Sequence, residues 1–292
     1  MTKKYSENFI AYLFLLPAMI LFAIFNMYPI LYSFYLSFLK WDGFNISKKF
    51  IGLSNYLNLF TNMEFYNSLF VTIVYTALVT IGSLFLGLVL ADLLNKGLHF
   101  KSFFRTIYFI PTVTATAAVG IVWKYMLDPS QGIVNKFLNA INIPSVPWLN
   151  NPFWVLIAIS LAGIWKRIGY NMIIYLSAMQ SIPTALYESA DIDGATKHTK
   201  FKFVTVPLLK PTTLLLIIMS FIDSFQVFDL VYVMTNGGPM GSSNVLGLYM
   251  YREGFSANNL GYASAVGWII FAIVFIATII QFKFSNKDGE ML

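Results

Sequence analysis

Lys166, Arg167 and Asp223 stand inside two long apolar stretches of this chain. Ionised side chains at membrane depth are costly, and they face a cavity, a solute path or each other. Trp165, Tyr170 and Asn171 accompany the two cations, and Ser220, Ser224 and Gln226 accompany the acid. Acids and amides hydrogen-bond hydroxyl groups, and aromatic faces stack on sugar rings, so this mixture suits a glycan. A simple interhelical ion pair would use the same charges. The two readings are compatible, because a charge on a path also needs a partner. Ser220, Asp223 and Ser224 follow at i, i+3 and i+4 and should share one helical face. On that geometry Gln226 and Asp229 point elsewhere, toward a second subunit.

A second constellation, residues 181–210, is polar and short and lies between two apolar runs. Pro183 marks a helix start, and Glu188, Asp191 and Asp193 are expected in its early turns, at the positive end of the helix dipole. Gly194 permits a sharp exit, because only glycine takes positive φ without a penalty. Lys197, His198, Lys200 and Lys202 follow, and Pro207 and Pro211 flank the next apolar run. The pattern reads as a short helix, a tight turn and a second short helix at the membrane surface. Such a knob, anchored at both ends, can wedge into a groove on a moving partner. Glu188 can pair with an arginine across that contact, and Ala190 and Ala195 keep its face slim. An amphipathic interfacial helix with solvated charges is the competing reading.

The elements that must hold these residues are apolar helices. Only 11% of the 292 residues are charged, against about 25% in an ordinary soluble domain, and the mean hydropathy is +0.68. The apolar residues come in blocks, and roughly 20 helical residues cross a bilayer core. Six spans are predicted: Phe9–Phe38, Phe65–Leu94, Phe103–Leu127, Phe153–Met179, Leu208–Met234 and Gly261–Phe284. The first is too long for the apolar core of a cleaved leader. The fold class is thus an all-α polytopic membrane protein with one bundle. Pro17, Pro29, Pro111, Gly82 and Gly87 fall inside spans, where membrane helices tolerate them.

Orientation follows from loop lysines and arginines. With the N-terminus inside, Lys3, Lys4, Lys96, Lys101, Arg105, Lys197, Lys200, Lys202, Lys210, Lys283 and Lys287 are cytoplasmic. Lys40, Lys48, Lys49, Lys124, Lys136 and Arg252 are then outside. Both termini and residues 181–210 fall in the cytoplasm. The outer loops carry turn signals at Trp41-Asp42-Gly43, Asp128-Pro129-Ser130-Gln131-Gly132 and Asn236-Gly237-Gly238-Pro239, and they either meet an extracellular partner or merely connect helices.

Other chemistry is excluded by what the sequence lacks. No cysteine is present, so there is no disulfide and no thiolate metal site. His99 and His198 are expected as solvated loop residues, and no metal site is read. No phosphate-binding Gly-x-x-x-x-Gly-Lys loop occurs, and no nucleophile–base pair stands out, so no catalytic residue is assigned. A net charge of +6 reflects cytoplasmic loops rather than nucleic-acid binding. A secondary transporter or channel would fit the spans, but no inverted repeat of the kind common there is visible. A membrane-embedded enzyme or receptor is a third class, without arranged catalytic groups.

Glu188-Ser189-Ala190, then Gly194, then Val204, Val206 and Pro207 resembles the EAA loop of ABC importer permeases, which the family writes Glu-Ala-Ala, three residues, Gly, nine residues, Ile-x-Leu-Pro. The departures are small-for-small and aliphatic-for-aliphatic, and the spacing is intact. Leu15-Leu16-Pro17, Tyr28-Pro29-Ile30, Phe104-Arg105-Thr106 with Pro111, Trp123 with Pro129 and Gly132, and Pro147-Trp148-Leu149 are similar to carbohydrate-type permeases of the maltose and glycerol-phosphate kind. So are Ser224-Phe225-Gln226-Val227-Phe228-Asp229, Asn236-Gly237-Gly238-Pro239 and Leu260-Gly261-Tyr262-Ala263.

The resemblance implies a MetI-like permease fold with six transmembrane helices. Residues 1–64 would add an N-terminal helix and external loop to a five-helix core at 65–292. Residues 181–210 would be the cytoplasmic coupling loop. It implies a bacterial plasma-membrane protein in a heterodimer with a sister permease, with two ATPase subunits that bind the ATP. A lipid-anchored or periplasmic solute-binding protein would deliver the solute, and this chain would need no cofactor. Tyr187, Glu188, Ser189, Ala190, Asp193, Gly194 and Pro207 would then meet the ATPase. Trp165, Lys166, Arg167, Tyr170, Asn171, Ser220, Asp223, Ser224 and Gln226 would line or support the solute path. A sugar or oligosaccharide is the expected solute. Glycerol phosphate or a modified amino acid is the alternative, kept open by Lys166 and Arg167.

Overall fold

The computed structural model describes residues 2–96 and 100–289, with side-chain surroundings for 12–96 and 100–283. His99, expected in a loop, lies outside the described residues, as do the side chains of Lys3, Lys4 and Lys287. In chain order the helices are α1 Thr2–Phe22, α2 Tyr28–Leu36, α3 Ser54–Thr61, α4 Met63–Asn95, α5 Lys101–Val113, α6 Thr116–Met126, α7 Ile133–Ala140, α8 Pro152–Gln180, α9 Thr184–Ile192, α10 Lys197–Lys200, α11 Val206–Leu208, α12 Lys210–Phe225, α13 Asp229–Met234, α14 Leu246–Tyr251 and α15 Leu260–Gly289. The short strands are β1 Leu39–Lys40 and β2 Lys49–Phe50.

Four stretches are long and apolar enough to cross a bilayer unaided: Tyr12–Leu36, Met63–Asn95, Pro152–Gln180 and Leu260–Lys283. Two further spans exist only as bent pairs: α5 with α6, at 101°, and Lys197–Leu208 with α12, at 64°. The chain is a helical membrane protein with six spans when each bent pair counts as one.

The third span is therefore not the single helix Phe103–Leu127 that hydropathy predicts. Its 13-residue first half covers only about 20 Å. Residues 112–116 read Thr-Val-Thr-Ala-Thr, and branching at Cβ costs side-chain freedom in a helix. Thr114 and Ala115 are accordingly extended, with ψ of 140° and 129°. The fifth span, predicted as Leu208–Met234, also stops early: α12 ends at Phe225, Gln226 caps it, and a new helix starts at Asp229.

Proline sets two of the irregular turns. Pro29 has no N–H to give Phe25, and the helix widens over Ala23–Met27, where the Tyr28 N–H reaches back to the Ala23 carbonyl. Pro207 acts in the same way on Phe201–Thr205, where the Val206 N–H bonds the Phe201 carbonyl.

The chain divides into two compact units. One holds residues up to Asn62 together with Met250–Phe271. In it β1 and β2 pair antiparallel, Leu39 opposite Phe50. Asn55 Nδ2 donates to the carbonyls of Ser37 at 2.8 Å and Leu39 at 3.0 Å, fixing α3 to the hairpin. Trp268 stacks edge-on against Phe34 at 4.7 Å and donates to Ser33 Oγ at 3.3 Å. At the hairpin tip the backbone N–H groups of Asn45 and Phe44 donate to Asp42 Oδ1 and hold its carboxyl below the ordinary value. A depressed carboxyl stabilises the turn above its unfolded pKa and loses that effect as pH falls through the folded one.

The other unit holds Met63–Tyr249 and the residues from Ala272 onward. Its spine is the pair α4 and α8. Ser68, Thr72, Thr76, Thr80 and Ser83 are buried along one face of α4, and such small side chains let membrane helices approach closely. Asn171 of α8 donates to Ser83 Oγ at 3.0 Å across the seam. Tyr175, Met172, Leu176, Leu209 and Leu216 close the apolar base. Asn151 starts α8 by accepting the N–H groups of Phe153 and Trp154 at 2.9 and 3.3 Å. Gly169 lies so close to α5 that a Cβ there would run into the Tyr108 carbonyl oxygen. Gly169→Ala should therefore lower the thermal midpoint of the detergent-solubilised protein, at a cost of about 1–3 kcal/mol as for other overpacked sites. An unchanged midpoint would show that α5 can move off α8 without loss.

Candidate functional site

The two broken spans converge on one cavity. It encloses about 280 Å³ and is lined by Lys166 and Arg167 from α8, Asp223 and Ser224 from α12, Gln226, Asp229 from α13, Thr112, Thr116 and Tyr75, among others. The break after Phe225 explains the membership. On an unbroken helix Gln226, three residues after Asp223, would lie beside it, while Asp229 would lie well round the helix. The end of α12 at Phe225 brings Asp229 into the same space as Asp223 and Gln226, which corrects the expectation that Gln226 and Asp229 point elsewhere.

The charges have fixed partners. Lys166 Nζ donates to the carbonyl oxygens of Thr112 at 3.4 Å and Thr114 at 3.3 Å, and Thr112 Oγ1 donates to the Lys166 carbonyl at 3.1 Å. The lysine thus caps carbonyls at the 101° bend. Arg167 Nη1 donates to Asp223 Oδ2 at 2.9 Å, and the guanidinium lies 4.8 Å from the centre of the Tyr170 ring. Within this pair the arginine side chain is 16% exposed and the aspartate 65%. The acid faces the space and the base stands behind it.

Of the predicted pathway residues, Lys166, Arg167, Asp223, Ser224 and Gln226 line the cavity. Tyr170 supports it through Arg167. Trp165 stacks edge-on against Trp123 at 6.0 Å. Asn171 and Ser220 are fully buried, and Asn171 spends its amide on Ser83. Sequence reasoning missed Tyr75, Thr112 and Thr116. The threonines belong to the β-branched run that breaks the third span, and that run was the available signal. Tyr75 carried none beyond being a polar aromatic in an apolar helix.

The second site is α9 and the turn after it. No residue of α9 is buried, and Leu186, Glu188, Ser189, Ile192, Asp193 and Pro207 are exposed. The helix begins at Thr184 with no acid in its first turn, so the expectation of acids in the early turns is corrected. Glu188 lies mid-helix and Asp191 near the end, where the dipole does not favour it. Lys200 compensates, pairing with Asp191 at 2.6 Å. Gly194 has φ of 74°. Its N–H bonds the Asp191 carbonyl at 3.0 Å and the Ala195 N–H bonds Ala190 at 2.9 Å, a paired C-terminal cap that requires the left-handed conformation. Tyr187 shares a hydrogen bond with the buried Thr205 at 3.0 Å, tying α9 to the foot of α12. The result is a short helix braced on one side and free on the other. Among the described residues no cluster of groups could hold a metal ion.

Known proteins share both the sequence and this architecture. The family model described as "Binding-protein-dependent transport system inner membrane component" matches residues 83–287. The trehalose/maltose transport system permease protein MalF of Thermococcus litoralis is 34% identical over 280 residues, 96% of this chain and 95% of that protein. The lactose transport system permease protein LacF of Rhizobium radiobacter is 37% identical over 277 residues, covering 93% and 92% of the two chains. A bacterial alginate ABC transporter, crystallised with an alginate pentasaccharide-bound periplasmic protein, superposes with a TM-score of 0.85 at 25% identity over 98% of this chain and 97% of that one. This chain belongs to the family of inner-membrane components of binding-protein-dependent transport systems, with the MetI-like fold, and is a permease subunit of an ABC importer rather than an enzyme.

Proposed function

We propose that this chain forms half of the translocation path for a sugar or oligosaccharide, the other half coming from a homologous sister permease in a heterodimer. An extracellular binding protein, periplasmic or lipid-anchored, delivers the solute. Two ATPase subunits bind and hydrolyse the ATP, and this chain carries no cofactor. The complex sits in a bacterial plasma membrane among its lipids, with both termini of this chain in the cytoplasm. Residues 1–64 supplement a five-helix core at 65–292. The observation that carries this reading is the cavity at the two helix breaks, whose acid, amide and hydroxyl groups match the hydroxyls of a sugar. Relatives named for trehalose/maltose and lactose transport support the same solute class.

In this reading α9 is the knob that docks on an ATPase. Glu188, Ser189, Ala190 and Ile192 form the contact, Tyr187 and Asp193 hold its base, and Gly194 and Pro207 set the turns. Tagging the chain in its host and identifying what co-purifies is the direct test. A second permease and an ATPase should be recovered with the unaltered chain. The ATPase should be lost with Glu188→Lys or Gly194→Pro, while the sister permease is retained. Recovery of the chain alone, with uptake intact in liposomes, would sink the importer assembly.

Tyr170 and Asp223 carry the solute side of the proposal. At normal assembly, Asp223→Asn should raise the half-saturating solute concentration for uptake by about tenfold, the factor that 1.4 kcal/mol represents. Tyr170→Phe should act more weakly, because it keeps the ring beneath Arg167. Unaltered uptake kinetics in both would remove these residues from the path.

A further inference from the structure

Lys166 and Arg167 look like receptors for an anion when read as sequence. The structure gives both of them other work. The Lys166 ammonium is spent on the carbonyls of Thr112 and Thr114. The Arg167 guanidinium donates from Nη1 to Asp223 and lies against the Tyr170 ring; its Nε is buried without a hydrogen-bond partner, and the residue lines the cavity from behind the acid. What the wall presents is the opposite sign. Asp223 is exposed, and so is Asp229, with no cation at ion-pair distance from Asp229 among the described residues. Gln226, Thr112 and Thr116 complete the lining with neutral groups that both donate and accept.

We infer that this cavity selects an uncharged polyhydroxylated solute, and that its two cations are fixtures of the wall rather than anion receptors. The inference rests on the reading of this cavity as the solute path. Hydroxyl groups donate to the two carboxylates and to the Gln226 carbonyl, and they accept from its amide. A phosphate or uronate would meet two carboxylates first. To win a cation it would have to displace Asp223 from Arg167, or take Lys166 from the bend. Displacing Asp223 would leave Arg167, whose side chain is 16% exposed, without its partner, and stripping the lysine from the bend would leave the Thr112 and Thr114 carbonyls without theirs.

The test uses the complex that co-purifies with this chain, trapped with orthovanadate and without binding protein, so that the membrane cavity alone selects. It is incubated with an equimolar mixture of neutral oligosaccharides (malto-, cello-, xylo- and arabino-oligomers) and uronic-acid oligomers of matched length. Mass spectrometry then identifies what is retained after desalting. Neutral glycans should be retained at least tenfold over the acidic ones. The double variant Asp223→Asn, Asp229→Asn should narrow that ratio to less than threefold. Equal or preferred retention of uronic-acid oligomers by the unaltered complex overturns the inference while leaving the importer reading intact. Retention of neither class by a complex that hydrolyses ATP overturns the assignment of the cavity. If no ATPase co-purifies at all, the importer reading fails, and this inference fails with it.

Discussion

A helix that breaks within a bilayer frees carbonyl groups where no water can take them. That constraint governs the centre of this protein. The bend between α5 and α6 survives because the Lys166 ammonium reaches the carbonyls of Thr112 and Thr114, and because Thr112 returns a hydrogen bond to the Lys166 backbone. The cap holds the third span against α8, and the near contact of Gly169 with Tyr108 sets the distance. Only then is there a fixed wall from which Arg167 can meet Asp223. The cavity is thus a by-product of two interrupted helices, and its charge is what remains after the interruptions have been capped.

The docking segment obeys a related rule in water. A helix of nine residues is marginal alone, since isolated helices shorter than about 12–15 residues are marginal in water. α9 gains its order from its ends. The Gly194 cap closes one end, Lys200 offsets the misplaced Asp191, and Tyr187 anchors the middle to Thr205. None of these ties uses Glu188, Ser189 or Ile192, which leaves those side chains available to a partner.

Much of this was legible in the sequence. The runs that became α4, α8 and α15 were unmistakable, because an uninterrupted apolar stretch of span length has few alternatives. The spacing from Glu188 through Gly194 to Pro207 located the docking segment and its positive-φ turn. Hydropathy failed at Thr114 and Phe225, because an average over a span does not register a β-branched run or a short turn, and the carbonyls at the first break are capped from far along the chain by Lys166. The same blindness sent Asp229 to the wrong face and hid Thr112 and Thr116, whereas Gln226, three residues from Asp223, was within reach of the helical spacing itself. It also left the roles of Lys166 and Arg167 open, since a sequence shows that a charge is present but not what it already holds. The acids of α9 were misplaced because Pro183 suggested the start of the helix correctly while the spacing of Glu188, Asp191 and Asp193 was read as closer to it than it is.

The first span has a further consequence. Across its most apolar window between Tyr12 and Leu36, no residue is buried by the rest of the chain, and Phe14, Phe25 and Leu31 are among its most exposed side chains. Such a helix needs no help from later segments to be stable in lipid. During synthesis this span is complete as soon as it is made, while the bend after α5, whose capping lysine lies 54 and 52 residues beyond Thr112 and Thr114, is capped only once α8 has emerged. Insertion order and folding order therefore part company in this chain: the first apolar span is settled early, and the cavity forms only when the two halves of the bent third span have met α8 and α12.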